Sequence, residues 1–297
     1  MGEELIHSET MYRADVMSAT AVPGPLSIIE TSQQMAYCEI IPELFQDGSE
    51  TSVPIPNELF DAIIHINHLR AILGNPGITE EVVYRGDIIS LKRSISALLQ
   101  RIISFSMSQW ADRMVSRYKV NTNRSVPAER RSGFIDPGKD GWLQIARAYH
   151  AATVIYCVRS LALDNTELVC TPQTSDQSAQ SYVSITDIHL VAKQTLFKTL
   201  KVLASHKADE PFLGKLVTWP FFVAGIEAAT DSDATEVRQV VSSSLLYLSI
   251  LLGALNLRDT RSFLMNLWSQ TCDRGEHGRQ RWSDLLQDVQ GRCAYFM

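Results

Sequence analysis

Apolar residues recur at steps of three and four positions along most of the chain, the spacing of one face of an α-helix. No stretch alternates apolar and polar residues in the manner of a half-buried strand. The pattern therefore predicts an all-α protein, a single compact domain spanning residues 1–297 with about nine or ten helices. The longest periodic run lies between residues 80 and 118, at Ile88, Leu91, Ile95, Leu98, Ile102 and Phe105.

Proline, glycine and short polar residues divide this pattern into separate elements. Pro42 is predicted to end or kink the first helix. The polar stretches 119–141 and 171–183 are predicted loops, and residues 1–27 a poorly structured leader. Besides the long run, we predict helices over residues 32–45, 57–74, 142–163, 184–206, 234–255, 260–272 and 279–289.

The most apolar segment lies between residues 213 and 231 and is predicted to form a buried central helix. From Trp219 onward this helix is apolar on nearly every side, which is typical of a helix enclosed by others. Thr218 is a candidate N-cap, and Pro220 suits a first turn because its missing N–H would be unpaired there anyway. Gly225 costs about 1 kcal/mol against alanine, which indicates close approach by a second helix.

Several charged residues lie on otherwise apolar helical faces. Glu227, inside the central segment, must be ion-paired, hydrogen-bonded or bound to a cation. His189 and Lys193 share the apolar face of the predicted 184–206 helix. Lys193 has two open interpretations: an internal salt bridge, with Glu227 as one candidate partner, or a contact to a bound diphosphate or carboxylate.

Glu227 and Asp231 are four residues apart. If the central helix continues to Asp231, both carboxylates face one side, a geometry suited to Mg²⁺. The alternative is that Asp231 or Asp233 caps the following helix. Arg238, one turn into that helix, is expected to pair with a carboxylate or to contact a phosphate.

A second candidate metal site has helical spacing. Asp61, His65 and His68 lie at positions i, i+4 and i+7 of one predicted helix, so their side chains share a face. The alternative is a solvated face with incidental histidines. The Gly-x-Ser-x-Gly sequence of serine hydrolases and the Asp-Asp-x-x-Asp motif of common terpene cyclases do not occur.

The central segment closely resembles a known helix. Residues 219–228, WPFFVAGIEA, are similar to the "WPLFVAGIEA" helix of the fungal-specific transcription factor domain family, a helical regulatory region that usually follows a zinc binuclear cluster. Further stretches that resemble the family, in the same order, lie at residues 145–156, 196–200, 264–268 and 282–286. Together they cover about the last half of the chain.

Composition limits what the resemblance implies. The net charge is −6, which disfavours direct nucleic-acid binding by this chain. The five cysteines include no Cys-x-x-Cys pair and cannot supply the six-cysteine zinc cluster. If Met1 is the true start, the usual DNA-reading module is missing.

No membrane segment is expected. The longest apolar run, residues 245–257, holds about 13 residues against the roughly 20 needed to span a bilayer. The first residues also lack the basic start and apolar core of a signal peptide. We expect a soluble protein in the cytoplasm, or in the nucleus if it is a regulator.

The resemblance leaves two functions open. One is a ligand-sensing and dimerisation domain of a fungal regulator, with homodimerisation expected. The other is a terpene cyclase of the humulene synthase type, similar to stand-alone relatives that bind farnesyl diphosphate with paired Mg²⁺ and a lysine. Because the zinc cluster is missing, we expect the cyclase and keep the regulator as the alternative.

The cyclase hypothesis assigns roles to individual residues. Lys193 and Arg238 would be catalytic, helping to neutralise charge on the leaving diphosphate. Glu227 and Asp231 would hold Mg²⁺. A dry cavity would bind the prenyl diphosphate substrate and shield its cation from water, lined by Trp219, Phe222, Tyr149, Tyr156 and His189.

Overall fold

The regular structure is helical throughout the described part of the chain, as predicted, with no strand among those residues. The computed structural model describes residues 14–44, 55–75, 88–123, 137–162, 184–205, 213–214, 216–271 and 281–287. The helices are α1 (Ile28–Leu44), α2 (Asn57–Leu73), α3 (Ile88–Ile103), α4 (Met107–Asn123), α5 (Gly138–Cys157), α6 (Ile185–Ser205), α7 (Thr218–Ala229), α8 (Thr235–Leu252), α9 (Leu255–Thr271) and α10 (Trp282–Gln287). A π-helical turn, Val158–Ala162, extends α5.

The long periodic run forms two helices, because the chain turns between Ile103 and Met107. Ser106 precedes α4, and its hydroxyl accepts a hydrogen bond from the backbone N–H of Gln109. A serine followed three residues later by glutamine is a capping-box sequence, which starts a new helix here. The apolar period continues across the break, so periodicity alone did not reveal it.

Helix α1 also differs from its prediction. It begins at Ile28, where the Ser27 hydroxyl accepts the N–H of Glu30, and it continues through Pro42 to Leu44. The predicted 119–141 loop is shorter than expected, since α4 extends to Asn123 and α5 begins at Gly138. Residues 124–136 and the predicted loop over 171–183 lie outside the described residues.

Part of the expected leader, residues 14–27, lies within the described residues and packs on the core. Residues 14–20 are helical, and Val16 is fully buried. Asn67 of α2 donates to the carbonyl of Val16 at 3.0 Å, and the buried guanidinium of Arg70 donates to the carbonyls of Ala19 and Gly24 at 3.2 and 3.0 Å. These side chains on α2 hold the amino-terminal backbone against the core. Residues 1–13 lie outside the described part.

Helix α7 is the buried centre of the fold, as predicted. Every residue from Trp219 to Ala229 is buried, and the helix packs against α5, α6, α8 and α9. One detail differs: Val217 occupies the N-cap position without a side-chain hydrogen bond, and Thr218 is already helical. The first intrahelical bond runs from the Phe221 N–H to the Val217 carbonyl at 3.0 Å. Pro220 lies in the first turn, where no partner is lost.

Residues from α2 to α10 contribute to one continuous apolar core around α7. No described helix is both long and apolar enough to cross a membrane.

Gly225 is the point where α9 approaches α7, which confirms the predicted close contact. A Cβ atom added at Gly225 would lie 2.5 Å from Cδ1 of Leu264. One turn further along α9, the indole N–H of Trp268 donates to the Gly225 carbonyl at 2.8 Å. The absence of a side chain at position 225 therefore sets the distance between the two helices.

We expect Gly225→Ala to destabilise the protein by roughly 1–3 kcal/mol, because the added methyl overlaps Leu264 in a close-packed core. Chemical denaturation measures the change. In a Leu264→Ala background the clash is absent, so the same substitution should cost nothing or stabilise through helix propensity. A stabilising effect in the wild-type background would contradict the packing argument.

Candidate functional site

A buried ion pair joins α7 to the end of α5. Arg159, in the π-helical turn, donates from Nε to Oε2 of Glu227 at 3.0 Å and from Nη2 to Oε1 at 2.7 Å. The two side chains are 2% and 0% exposed. Two parallel bonds between a guanidinium and a carboxylate form a strong, directional contact. Glu227 therefore has the cationic partner that its burial requires.

Two further residues complete the surroundings of this pair. His189 of α6 places Nε2 3.1 Å from Oε1 of Glu227, at ion-pair distance but without an aligned hydrogen bond. Thr230, directly after α7, accepts a hydrogen bond from Nη2 of Arg159 at 3.0 Å, and its own hydroxyl donates to the Glu227 carbonyl at 2.9 Å. The buried carboxylate thus meets Arg159 of the π-helical turn and His189 of α6, while Thr230 contacts the guanidinium and the Glu227 backbone.

These contacts keep Glu227 ionised. Burial opposes its negative charge, but the contact with His189 and the charge and hydrogen bonds of Arg159 outweigh that effect and lower the pKa of Glu227 to about 2. The ordinary value is 4.5. A shift of this size corresponds to about 3 kcal/mol of folded-state stability at neutral pH.

A second ion pair lies nearer the surface. Nζ of Lys193 is 2.6 Å from Oδ2 of Asp231, with the side chains 19% and 25% exposed. Burial opposes the charge of Asp231, but its hydrogen bonds to Lys193 and to the Asp233 backbone lower the pKa of Asp231 overall. Nζ of Lys193 also lies 5.9 Å from the ring centroid of Phe197. Lys193 therefore has a salt bridge, as one interpretation expected, but with Asp231 as its partner.

The predicted pairing of Glu227 and Asp231 on one helical face depended on a helix reaching Asp231. Helix α7 ends at Ala229 with Thr230 as its C-cap, so the condition is not met. Asp231 instead accepts the backbone N–H of Asp233 at 3.0 Å. Neither aspartate caps α8, whose N-cap is Ala234 without a side-chain hydrogen bond. The roles proposed for these carboxylates in binding Mg²⁺ remain predictions.

Arg238 makes backbone contacts at the end of α7. Its Nε and Nη2 donate to the Ala228 carbonyl at 3.0 and 2.9 Å, and Nη2 also donates to the Asp231 carbonyl at 3.0 Å. A cation is favourable at a helix C-terminus, where carbonyls lack intrahelical partners. Arg238 thus stabilises the turn that positions Asp231, and its charge further favours the ionised form of that carboxylate.

The aromatic residues predicted to line a cavity pack against one another. Tyr149 and Trp219 stack with ring centroids 6.1 Å apart, and Tyr156 meets Trp219 edge-on at the same distance. Phe222 and Tyr156 both meet Trp282 edge-on, at 6.1 and 5.1 Å. All five side chains are at most 2% exposed. Their role in binding a substrate remains a prediction.

The polar ends of Trp219 and Tyr156 also have hydrogen-bond partners. The Trp219 indole donates to the Thr20 hydroxyl at 3.0 Å, and the Tyr156 hydroxyl donates to Asn67 at 2.7 Å. Buried tryptophan and tyrosine usually find such partners. The aromatic group therefore connects α5 and α7 to α2 and to the amino-terminal segment.

The candidate metal site on α2 is rearranged relative to its prediction. Asp61 and His65 lie together, but His68 is 3.3 Å from the Thr31 hydroxyl and does not belong to the same group of potential ligands. Cys38 of α1 takes its place. Within the described residues, Cys38, Asp61 and His65 are the one set of three or more potential ligands in reach of a common ion.

Arg159 is the main residue that the sequence analysis did not identify. It follows a largely apolar stretch, residues 151–158, where a lone arginine is more often a surface residue that ends a buried segment. Glu227 carried the available signal, since a buried carboxylate requires a cation. The 68 residues that separate the partners left the choice among arginines and lysines open.

A family model described as "Fungal specific transcription factor domain" matches residues 7–294. No curated protein and no solved structure matches the chain significantly. The match covers nearly the whole sequence, including the amino-terminal half, where the resemblance of individual motifs was not evident.

The pKa of Glu227 predicts a pH dependence of stability. Because the folded-state value lies below 4.5, the stabilisation is complete above about pH 4.5 and is lost as the pH falls toward 2. Glu227→Gln removes this titration. The difference in unfolding free energy between wild type and variant should shrink by roughly 2 kcal/mol between about pH 6 and about pH 3.

Urea denaturation of both proteins at the two pH values measures this difference. The other carboxylates titrate in both proteins and cancel in the comparison. A difference that stays constant with pH would mean that Glu227 is not held ionised by its partners.

Proposed function

The chain belongs to the fungal specific transcription factor domain family, and from this we propose that it acts as the regulatory domain of a transcriptional regulator. In this role it binds an effector or a partner protein and catalyses no reaction. The proposal includes action in the nucleus and self-association, the properties expected of such a domain. Contact with DNA is left to other parts of the regulator.

One observation carries the proposal beyond family membership: both carboxylates expected to hold Mg²⁺ already have cationic protein partners. Glu227 has Arg159 in a two-bond contact, and Asp231 has Lys193 at 2.6 Å. For a metal ion to take these oxygens, a buried guanidinium would have to lose its partner, which costs about 3–5 kcal/mol. The arrangement suits a structural and regulatory role better than metal-dependent ionisation of a diphosphate.

The outer pair is the place where an effector would act. Lys193 and Asp231 retain partial exposure, whereas Glu227, four residues before Asp231, has none. An effector carboxylate or phosphate that pairs with Lys193 would displace the Asp231 side chain from its salt bridge. Asp231 lies two residues beyond the last residue of α7, so such an effector would act beside the end of the central helix.

A second candidate is the Mg²⁺-dependent cyclase. It is favoured by the gathering of charged side chains around the end of α7: Arg159, Lys193 and Arg238 carry three positive charges against the two negative charges of Glu227 and Asp231. Lys193 and Arg238 are the kind of cationic side chain that a prenyl diphosphate would require. The hypothesis requires Glu227 and Asp231 to exchange their protein partners for metal ions.

We expect the purified chain, incubated with farnesyl diphosphate and Mg²⁺, to release neither hydrocarbon nor inorganic diphosphate, because its carboxylates are already paired. Gas chromatography with mass spectrometry detects the hydrocarbon, and a phosphate assay after pyrophosphatase treatment detects the diphosphate. In parallel, the chain fused to a heterologous DNA-binding domain should change transcription of a reporter relative to that domain alone.

Matched lysine variants distinguish the candidates. Lys193→Ala should alter the reporter response, while Lys198→Ala, an exposed lysine on the same helix, should not. Product formation that requires Mg²⁺, is abolished by Lys193→Ala and survives Lys198→Ala would overturn the regulatory proposal in favour of the cyclase.

A further inference from the structure

Three side chains with metal-binding chemistry meet where α1 packs on α2. Cys38 comes from α1, and Asp61 and His65 come from successive turns of α2. One potential ligand atom from each residue lies within 4.8 Å of the other two. All three side chains are partly buried. This cluster is separate from the Glu227 ion pairs and has no part in the proposed function.

The cluster already contacts a cationic group. Nη2 of Arg101, on α3, lies 2.8 Å from Oδ2 of Asp61 and 3.5 Å from Nδ1 of His65. The guanidinium therefore occupies a position that favours positive charge. Because the Arg101 side chain is 46% exposed, it can turn into solvent at small cost, unlike the buried Arg159.

We propose that Cys38, Asp61 and His65 form a binding site for a divalent transition-metal ion, with Zn²⁺ as the preferred occupant, and that Arg101 closes this site when no metal is bound. Sulfur, imidazole nitrogen and carboxylate oxygen are the three ligand types that zinc uses in proteins. Calcium and magnesium are disfavoured because they prefer oxygen ligands throughout. A water molecule would complete a tetrahedral site with three protein ligands.

The distances are compatible with this assignment after small movements. Zinc bonds of about 2.0–2.3 Å place tetrahedral ligands roughly 3.3–3.8 Å apart. The ligand atoms all lie within 4.8 Å of one another, so they need to approach by at most about 1–1.5 Å. Rotation of partly exposed side chains on two packed helices can provide this movement without a change in the backbone.

The Cys38 thiol must lose its proton to bind a metal ion. Burial, together with hydrogen bonding to Asp61 and its charge, raises the pKa of Cys38 to about 12. A bound divalent cation offsets the charge of Asp61 and favours the thiolate. Metal binding at this cluster therefore releases a proton.

His68 belongs to the set of ligands that helical spacing suggested, with Asp61 and His65, but not to the set found in the structure. Cys38 takes its place, and His68 instead lies 3.3 Å from the Thr31 hydroxyl. A site built on the three α2 residues would contain no sulfur. The presence of a metal–thiolate bond therefore distinguishes the two sets.

The test uses the full chain after treatment with a chelator. Calorimetric titration with Zn²⁺ should give one site, and Co²⁺ should give the near-ultraviolet charge-transfer band of a cobalt–thiolate bond. Cys38→Ala and His65→Ala should each weaken Zn²⁺ binding by more than the roughly 10–100-fold that loss of an outer-shell partner costs. Cys38→Ala should also abolish the cobalt band.

Two control proteins leave the site intact. His68→Ala should keep both the affinity and the cobalt band. The triple variant with Cys170, Cys272 and Cys293 changed to serine should do the same, which excludes binding by those thiols.

Arg101→Gln provides a test that does not depend on loss of binding. Removing the competing guanidinium should tighten Zn²⁺ binding by about tenfold or more, a gain that a misfolded protein would not produce. Absence of a thiolate band in the wild type, unchanged affinity in Cys38→Ala, or no gain in Arg101→Gln would each overturn the proposal.

Discussion

A carboxylate without solvent exposure, Glu227 in the most apolar helix of the chain, is the constraint on which the rest of the structure depends. Left unpaired, such a charge would cost several kcal/mol. Arg159 provides the partner, and a π-helical turn at the end of α5 places its guanidinium in line with both oxygens. His189 lies beside the carboxylate, and Thr230 accepts a hydrogen bond from the guanidinium. The position of α7 is therefore fixed by a specific polar contact as well as by apolar packing.

The polar contact and the packing act on opposite sides of the same helix. Gly225 lets α9 approach α7, with Trp268 hydrogen-bonded to its carbonyl, while Glu227 binds α5 and α6. A buried ion pair contributes little net stability compared with apolar residues of the same size, but its geometry permits few alternative arrangements. We infer that the pair selects one register of α7 among the helices around it. The more exposed pair of Lys193 and Asp231 then lies at a defined place near the surface.

Much of the fold could be predicted from the sequence because the helices are strongly periodic. The burial of α7, the close approach at Gly225 and the need of Glu227 for a cation all follow from single residues in an apolar segment. Helix ends were less predictable, since Ser106 starts a new helix within an unbroken apolar period. Residues 14–20 were also not predicted as helical, because their partners Asn67 and Arg70 are distant in sequence.

The grouping of side chains at the candidate sites could be predicted only in part. Lys193 was correctly expected to need an anion, yet its partner is Asp231, because α7 ends before that residue. A metal-ligand pattern was recognised on α2, but periodicity within one helix cannot bring in Cys38 from α1. Spacing along the chain identifies residues on a shared face. Contacts between helices depend on packing, which a single sequence does not specify.

A double-mutant cycle on Arg159 and Glu227 tests the central claim most directly. Arg159→Met and Glu227→Leu should each cost about 3–5 kcal/mol of unfolding free energy, because each leaves one buried charge unpaired. The double variant, with neither charge, should recover most of the summed loss, giving a coupling energy of at least about 3 kcal/mol. If the two losses instead add within about 0.5 kcal/mol, the residues act independently and the ion pair does not fix the central helix.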